Sequence, residues 1–87
     1  MRLADLRAAL ANLGHLPDDT IVVLAKDAEG NGFSPLAEAE DAMYWAETTW
    51  SGERYLTEEQ RRAEANPDDW SEAPDDAVRA VFLWPVN

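Results

Sequence analysis

PLAEAEDAMYWAETTW, residues 35–50, is the stretch on which the fold depends. Its apolar side chains recur at helical spacing, and Ser34 followed by Pro35 is typical of an N-cap with its favoured first helical residue. The apolar stripe would consist of Leu36, Ala39, Met43, Ala46 and Trp50. Local propensity therefore predicts a helix, and the alternative is an extended segment.

The segments on either side predict a sheet. Residues 21–25 form an uninterrupted apolar run with β-branched side chains, which is typical of a strand covered on both faces. Residues 78–84 form a second apolar run, which Pro85 ends. We expect these two runs to be the central strands. The intervening DAEGNG, residues 27–32, favours a turn, because its residues tolerate positive φ.

Two further segments predict helices. Leucines recur at helical spacing near the N-terminus until Gly14, and Pro17 follows. TEEQ, residues 57–60, is a capping-box signature that predicts a short helix over residues 58–65, before Asn66-Pro67. The leucines are Leu3, Leu6, Leu10 and Leu13. The sequence thus predicts one α+β domain over residues 1–87, with an N-terminal amphipathic helix packed on a small, mostly antiparallel sheet and a short second helix.

The charge of the chain limits its partners. Eighteen acidic residues against seven Lys and Arg give a formal charge of −11. Such a surface repels nucleic-acid phosphates and attracts basic proteins. The segment from Glu58 to Asp76 is the most acidic, because eight acids there accompany only Arg61 and Arg62. The alternative is that the acids only keep a small protein in solution.

The sequence predicts a cytoplasmic location. It contains no cysteine, as expected in a reducing compartment, and no apolar run of the roughly 20 residues that cross a bilayer. The start, MRLADLRAAL, places acid and arginine where a signal peptide is apolar. We therefore expect no membrane association.

Catalytic motifs are missing. His15 is the only histidine, and no nucleophile elbow or phosphate-binding loop occurs. Three pairs of adjacent aspartates each lie near a proline, where turn formation explains them better than acid–base catalysis does. These pairs are Asp18-Asp19, Asp68-Asp69 and Asp75-Asp76. We therefore predict a non-enzymatic protein.

One loop has the spacing of a calcium site. In residues 27–38, the ligand positions of an EF-hand loop would be filled by Asp27, Glu29, Asn31 and Glu38, with Gly32 at the turn. The long Glu29 at the third position and the stiff Pro35 count against it, so a glycine-rich turn is favoured. A module that binds calcium or another small ligand is the alternative function, and no other cofactor is indicated.

Eight aromatic residues, four of them tryptophans, are more than a core of this size can cover fully. Exposed aromatic side chains among acids are typical of a surface that binds a basic protein. The residues predicted to bind a partner are Trp45, Trp50, Trp70, Glu58, Glu59, Asp68 and Asp69. The alternative is that the rings cover the edges of a thin sheet. A homodimer through an uncovered sheet edge or through the tryptophans is also compatible with the pattern.

Two segments carry a resemblance, VVLAKDAEGNGFSPL and VFLWP. They resemble a family of small, mostly uncharacterised bacteriophage proteins, particularly of phages that infect actinobacteria, with a D-x-E-G-N-x-F/Y-S-P-L turn and a C-terminal V-x-L-W-P strand. The matching residues are Asp27, Gly30, Asn31, Phe33, Ser34, Pro35 and Leu36, then Val81, Leu83, Trp84 and Pro85. The resemblance implies a phage origin, the cytoplasm of an infected bacterium, and no known catalytic residue. It also implies a brief turn over residues 35–40 and an extended segment over residues 41–50, and on this ground we predict a strand there in place of the helix that local propensity favours.

These observations lead to one functional hypothesis. The chain is expected to be a phage accessory protein that binds a host or phage protein through an acidic, aromatic-bearing surface. In its sharpest form the protein is a DNA mimic, whose carboxylates are spaced like phosphates and occupy a basic cleft.

Overall fold

The computed structural model describes all 87 residues, and it confirms the α+β class. An N-terminal helix, a short second helix and an antiparallel sheet of four strands are present. The elements are α1 (Leu3–Ala11), β1 (Val23–Ala25), β2 (Phe33–Ala46), β3 (Gly52–Tyr55), α2 (Glu58–Ala63), a 3₁₀ helix (Pro67–Asp69) and β4 (Val78–Pro85).

Residues 35–46 of the ambiguous stretch belong to a 14-residue strand, β2, which is the centre of the sheet. β1 pairs antiparallel with its first residues, β3 pairs antiparallel with its last residues, and β4 pairs with it as well. The extended prediction is confirmed over residues 41–46, whereas residues 47–50 belong to the turn before β3. The predicted turn over residues 35–40 is wrong, because these residues are part of β2. Three neighbouring strands supply backbone partners, and this tertiary pairing overrides the helix propensity of the alanine-rich stretch.

The predicted centre of the sheet is also corrected. β1 has only three residues and pairs only with β2, while Ile21 and Val22 precede it and are 76% and 58% exposed. β4 is a strand as predicted, but its one partner in the sheet is again β2. The apolar run of residues 21–25 therefore forms an edge, not a strand covered on both faces.

The chain forms two compact units. The first unit comprises Met1–Glu38 and Leu83–Asn87, and the second unit comprises Ala39–Phe82. In the first unit, Ser34 is 2% exposed, and its hydroxyl accepts the Asn87 N–H at 3.1 Å and donates to the Pro35 carbonyl at 3.0 Å. The Pro35 carbonyl also accepts the Val86 N–H at 2.9 Å. These bonds tie the C-terminus to the start of β2.

α1 is shorter than the leucine pattern predicts. The Arg2 N–H donates to the Asp5 carboxylate at 2.9 Å at the start of the helix. The helix ends at Ala11, so Leu13 of the predicted stripe lies beyond it. Its apolar stripe is largely in contact with solvent, since only Leu6 is half-buried. The exposed leucines on and after the helix are Leu3, Leu10, Leu13 and Leu16.

The second unit has its own small core. Ala42 on β2 is fully buried, and the Tyr44 and Phe82 rings meet edge to face with their centroids 6.3 Å apart. The Arg54 guanidinium lies 5.8 Å from the Phe82 ring centroid and 2.6 Å from the Glu40 carboxylate. Aromatic and cation–π contacts thus supplement a very small apolar core.

The predicted capping box of α2 is confirmed. The Gln60 N–H donates to the Thr57 hydroxyl at 3.1 Å, and the Thr57 N–H donates to the Gln60 side-chain oxygen at 2.8 Å. The Gln60 amide nitrogen also donates to the Asp41 carbonyl at 2.9 Å, which fastens the helix to β2. The helix ends at Ala63, two residues before the predicted end.

Candidate partner-binding site

The second unit holds most of the charge of the protein. It contains twelve acidic residues and four arginines, which give a formal charge of −8. The first unit contains six acidic and three basic residues, which give −3. A field of one sign is therefore concentrated on residues 39–82.

All four arginines of the second unit form ion pairs with acids of the same unit. The pairs are Arg54–Glu40, Arg61–Glu58, Arg61–Glu72, Arg62–Glu58 and Arg79–Asp41. Eight other carboxylates are exposed and form no ion pair. These are Glu47, Glu53, Glu59, Glu64, Asp68, Asp69, Asp75 and Asp76. The negative charge that reaches the solvent is thus not compensated within the protein.

Four acidic side chains surround one groove of about 490 Å³, which we call the acidic groove. Glu58 and Glu59 come from the start of α2, and Glu72 and Asp75 come from the segment before β4. The groove is further lined by Met43, Leu56, Thr57, Ala73, Pro74, Ala77 and Arg79. A lining that combines apolar side chains with carboxylates suits a lysine or arginine side chain, whose aliphatic stem and cationic head need different surroundings.

Arg61 holds the wall of the acidic groove together. Its guanidinium donates to Glu58 at 2.8 Å, to Glu72 at 3.2 Å and to the Pro67 carbonyl at 3.1 Å. The hydrogen bond from Arg61 is the main cause that lowers the pKa of Glu58, and the same bond raises the pKa of Arg61. Glu58 is therefore ionised at neutral pH and accepts bonds through a carboxylate that is already fixed in place.

Trp50 lies at the tip of the β2–β3 hairpin and is 85% exposed. The Thr48 hydroxyl oxygen accepts the backbone N–H of Trp50 at 3.2 Å and that of Ser51 at 2.9 Å. The Glu47 N–H also donates to the Ser51 carbonyl at 3.0 Å, which closes the loop. A large aromatic side chain is thus presented on an ordered turn, which is the form that an interface anchor takes.

The other predicted tryptophans occupy different surroundings. Trp45 is half-buried on β2 opposite Glu53, and Trp70 follows the 3₁₀ helix and is exposed. Neither residue lines the acidic groove, and Trp50 does not line it either. The structure therefore gathers acids and apolar side chains into a groove, while the indoles lie elsewhere.

Of the four acids predicted to bind a partner, Glu58 and Glu59 line the acidic groove. Asp68 and Asp69 are exposed on the 3₁₀ helix outside the groove. Sequence reasoning missed Glu72 and Asp75, which carry no distinguishing pattern within an acidic loop. It also missed the apolar lining, because that lining joins β2 to residues 73–77, more than twenty-five positions away in the chain.

The loop with calcium-like spacing is a hydrogen-bonded turn. The Asp27 carboxylate accepts the N–H of Glu29 at 2.9 Å and that of Asn31 at 3.1 Å, and Gly30 adopts φ 72°. The bond from Asn31 is the main cause that lowers the pKa of Asp27. These contacts are those of an Asx-type turn, which satisfies its own backbone donors.

Glu38, the predicted twelfth ligand, is not part of that turn. It lies on β2, five residues beyond Phe33, which corresponds to about 16 Å of extended chain. No group of three or more His, Cys, Asp or Glu side chains in the chain is arranged to hold a metal ion. The structure thus brings Asp27, Glu29 and Asn31 together but does not bring Glu38 to them.

Comparison with protein-family models, with curated proteins and with solved structures gives no match to this chain. No helix of the structure combines the length and the apolar character that crossing a membrane requires. The functional argument therefore depends on the surfaces described above.

Proposed function

We propose that the chain is a non-enzymatic bacteriophage accessory protein, which binds a host or phage protein with a basic surface through the second unit. One observation carries the proposal. Every arginine of this unit is neutralised by an acid of the same unit, while eight exposed carboxylates have no such partner. A basic partner supplies the missing positive charge, and it is selected by that charge.

The acidic groove is the point of closest engagement in this proposal. A lysine or arginine of the partner lays its aliphatic stem along Met43 and Pro74 and directs its cationic head to Glu59 and Asp75. Arg79 does not oppose it, because the Asp41 carboxylate already pairs with that guanidinium at 2.6 Å. In this proposal the acidic groove binds a basic side chain of the partner, with apolar residues of the groove along its aliphatic stem.

Trp50 supplies the apolar anchor. Its indole is exposed, and the hydrogen bonds within residues 47–51 fix the turn that carries it. Binding therefore costs little additional ordering of the backbone at this position. The DNA-mimic form of the proposal assigns the larger part of the affinity to the eight unpaired carboxylates and the smaller part to Trp50.

Binding of a synthetic peptide tests the proposal directly. The probe is a fluorescently labelled peptide of arginine, lysine and leucine, and the reference probe is the same peptide with glutamate in place of every basic residue. We expect binding of the first probe only, with an affinity that falls steeply as salt is added. Comparable binding of both peptides, or no binding of the basic one at low salt, would refute the proposal.

Paired variants locate the site. Glu59→Gln with Asp75→Asn neutralises two unpaired acids of the acidic groove, whereas Glu47→Gln with Glu64→Gln neutralises two unpaired acids outside it. Both double variants have the same net charge. The groove variant is expected to weaken peptide binding about fivefold more than its control. Equal effects would show that only net charge matters, which supports the mimic form and rejects the groove.

A further inference from the structure

The outer edge of β1 carries unused backbone hydrogen-bonding groups. Towards β2, the Val22 carbonyl accepts the Leu36 N–H at 2.8 Å, and the Lys26 N–H donates to the Gly32 carbonyl at 2.9 Å. Leu24 lies between Val22 and Lys26 and faces Ser34. Because successive residues of a strand direct their backbone groups to opposite edges, the odd-numbered residues direct theirs away from β2.

These residues are Ile21, Val23 and Ala25. Their N–H and C=O groups take part in no hydrogen bond of the structure, and β1 has no strand on that side. Val23 lies opposite Pro35 of β2 as a non-hydrogen-bonded pair. The N–H and C=O groups of Val23 therefore point away from β2. The edge is therefore a free template for another strand.

The side chains along this edge do nothing to prevent pairing. Residues 20–25 carry no charge, contain no proline, and include the exposed Ile21, Val22 and Val23. Exposed sheet edges are normally protected by charges, prolines or bulges. An uncharged, β-branched edge without these features is suited to addition of a strand.

The charges at the two ends of the edge select its partner. Lys26, the only lysine of the chain, lies at the C-terminal end, and Asp18 with Asp19 lies at the N-terminal end. Antiparallel pairing of two copies of this segment places the lysine of each copy beside the aspartates of the other. The first unit carries only −3 of the formal charge of −11, so repulsion between two copies is weakest here.

We propose that the outer edge of β1 is a homodimer interface, in which β1 pairs antiparallel with β1 of a second copy about a two-fold axis at Val23. In this register Val23 faces Val23 of the second copy and exchanges both hydrogen bonds with it, and Ile21 faces Ala25. Lys26 faces Thr20 of the second copy, next to the turn that carries Asp18 and Asp19 of that copy. Asp27 does not oppose this, because its carboxylate is turned to the N–H groups of Glu29 and Asn31.

Sedimentation equilibrium of the full chain over a dilution series tests the interface. Val23→Pro removes the N–H at the two-fold axis and no hydrogen bond to β2, so we expect the dimer dissociation constant to rise about thirtyfold. Val23→Thr keeps the N–H and the β-branched shape, and it is the control. Circular dichroism shows whether each variant is folded. A wild-type chain that is monomeric at every concentration, or a Val23→Pro dimer as tight as wild type, overturns the proposal.

A charge exchange tests the register without changing the backbone. Lys26→Glu and Asp18→Lys each bring like charges to the same end of the dimer, where Lys26 of one copy lies near the Asp18-Asp19 turn of the other, and each is expected to weaken the dimer about tenfold. The double variant restores opposite charges and the wild-type net charge, so it is expected to dimerise as wild type does. A double variant no tighter than the single ones overturns the antiparallel pairing of two copies.

Discussion

The Tyr44 hydroxyl lies so close to Gly52 that a Cβ at position 52 would stand 2.6 Å from the tyrosine oxygen. The same Cβ would also overlap the carbonyl oxygen of Trp45, which is held by the pairing of β2 with β3. We expect Gly52→Ala to lower the free energy of unfolding by about 1–3 kcal/mol, because the hairpin must shift to make room. Urea denaturation measures this loss.

Gly32→Ala is the matched control for that substitution. A Cβ at Gly32 would contact only the flexible side chain of Lys26, at an ordinary 3.5 Å, and the free energy of unfolding should change little. Equal losses in the two variants would show that the close approach of Tyr44 to Gly52 does not constrain the hairpin.

The parts of the fold that local chemistry controls were predictable from sequence. The capping box at Thr57 and Gln60 and the turn at Asp27 each involve residues within a few positions of one another. The place of β2 in the sheet was not predictable by propensity, because its partners are other strands: β1 and β3, which are its neighbours in the chain, and the distant β4. The exposure of residues 21–23 was also not predicted, because an apolar run in the sequence does not distinguish a strand at the edge of a sheet from one at its centre.

The Thr57 side chain is expected to be the most important cap in the protein. It is buried, and its hydroxyl holds the Gln60 N–H at the start of α2. Thr57→Ala should lower the free energy of unfolding by about 1 kcal/mol, and by up to about 2 kcal/mol if the vacated site does not rearrange. Thr57→Ser keeps the hydroxyl and should retain most of the stability. A loss in the serine variant as large as in the alanine variant would argue against capping as the cause.

Arg61 and Arg62 are adjacent but should differ in their contribution to stability. The Arg61 side chain is 13% exposed and bonds to Glu58, Glu72 and the Pro67 carbonyl. The Arg62 side chain is 75% exposed and forms one ion pair, with Glu58 at 3.3 Å. We therefore expect Arg61→Gln to lower the melting temperature clearly more than Arg62→Gln. Similar melting temperatures for the two variants would contradict the role assigned to Arg61.

The candidate site was only partly predictable for a related reason. The acidic character of residues 58–76 is a property of composition, so the sequence alone was enough to propose Glu58 and Glu59. The apolar lining of the acidic groove depends on Met43 of β2 lying near Pro74, and no local pattern reports that approach. A group of side chains from distant parts of the chain can be identified only when the pairing of the strands is known.

Acid sensitivity provides the last prediction, and it concerns Asp27. Hydrogen bonds from the N–H groups of Asn31 and Glu29 lower the pKa of this carboxyl below its ordinary value of 3.8. The unfolded chain lacks these bonds and binds the proton more tightly, so the contribution of Asp27 to stability is complete above about pH 4 and is lost as the pH falls through the lower folded value. Asp27→Asn keeps an oxygen that accepts the same N–H groups but does not titrate. Its urea midpoint should therefore fall less between neutral pH and about pH 3 than that of wild type.

Two comparisons isolate the effect of Asp27. The pKa of Glu58 is also lowered in the folded protein, but Glu58 is present in both proteins, so its contribution cancels. Asp76→Asn, which removes an exposed carboxylate that holds no backbone N–H, is the control and should follow wild type. An Asp27→Asn protein that loses stability in parallel with wild type would show that the turn does not prefer the ionised carboxylate.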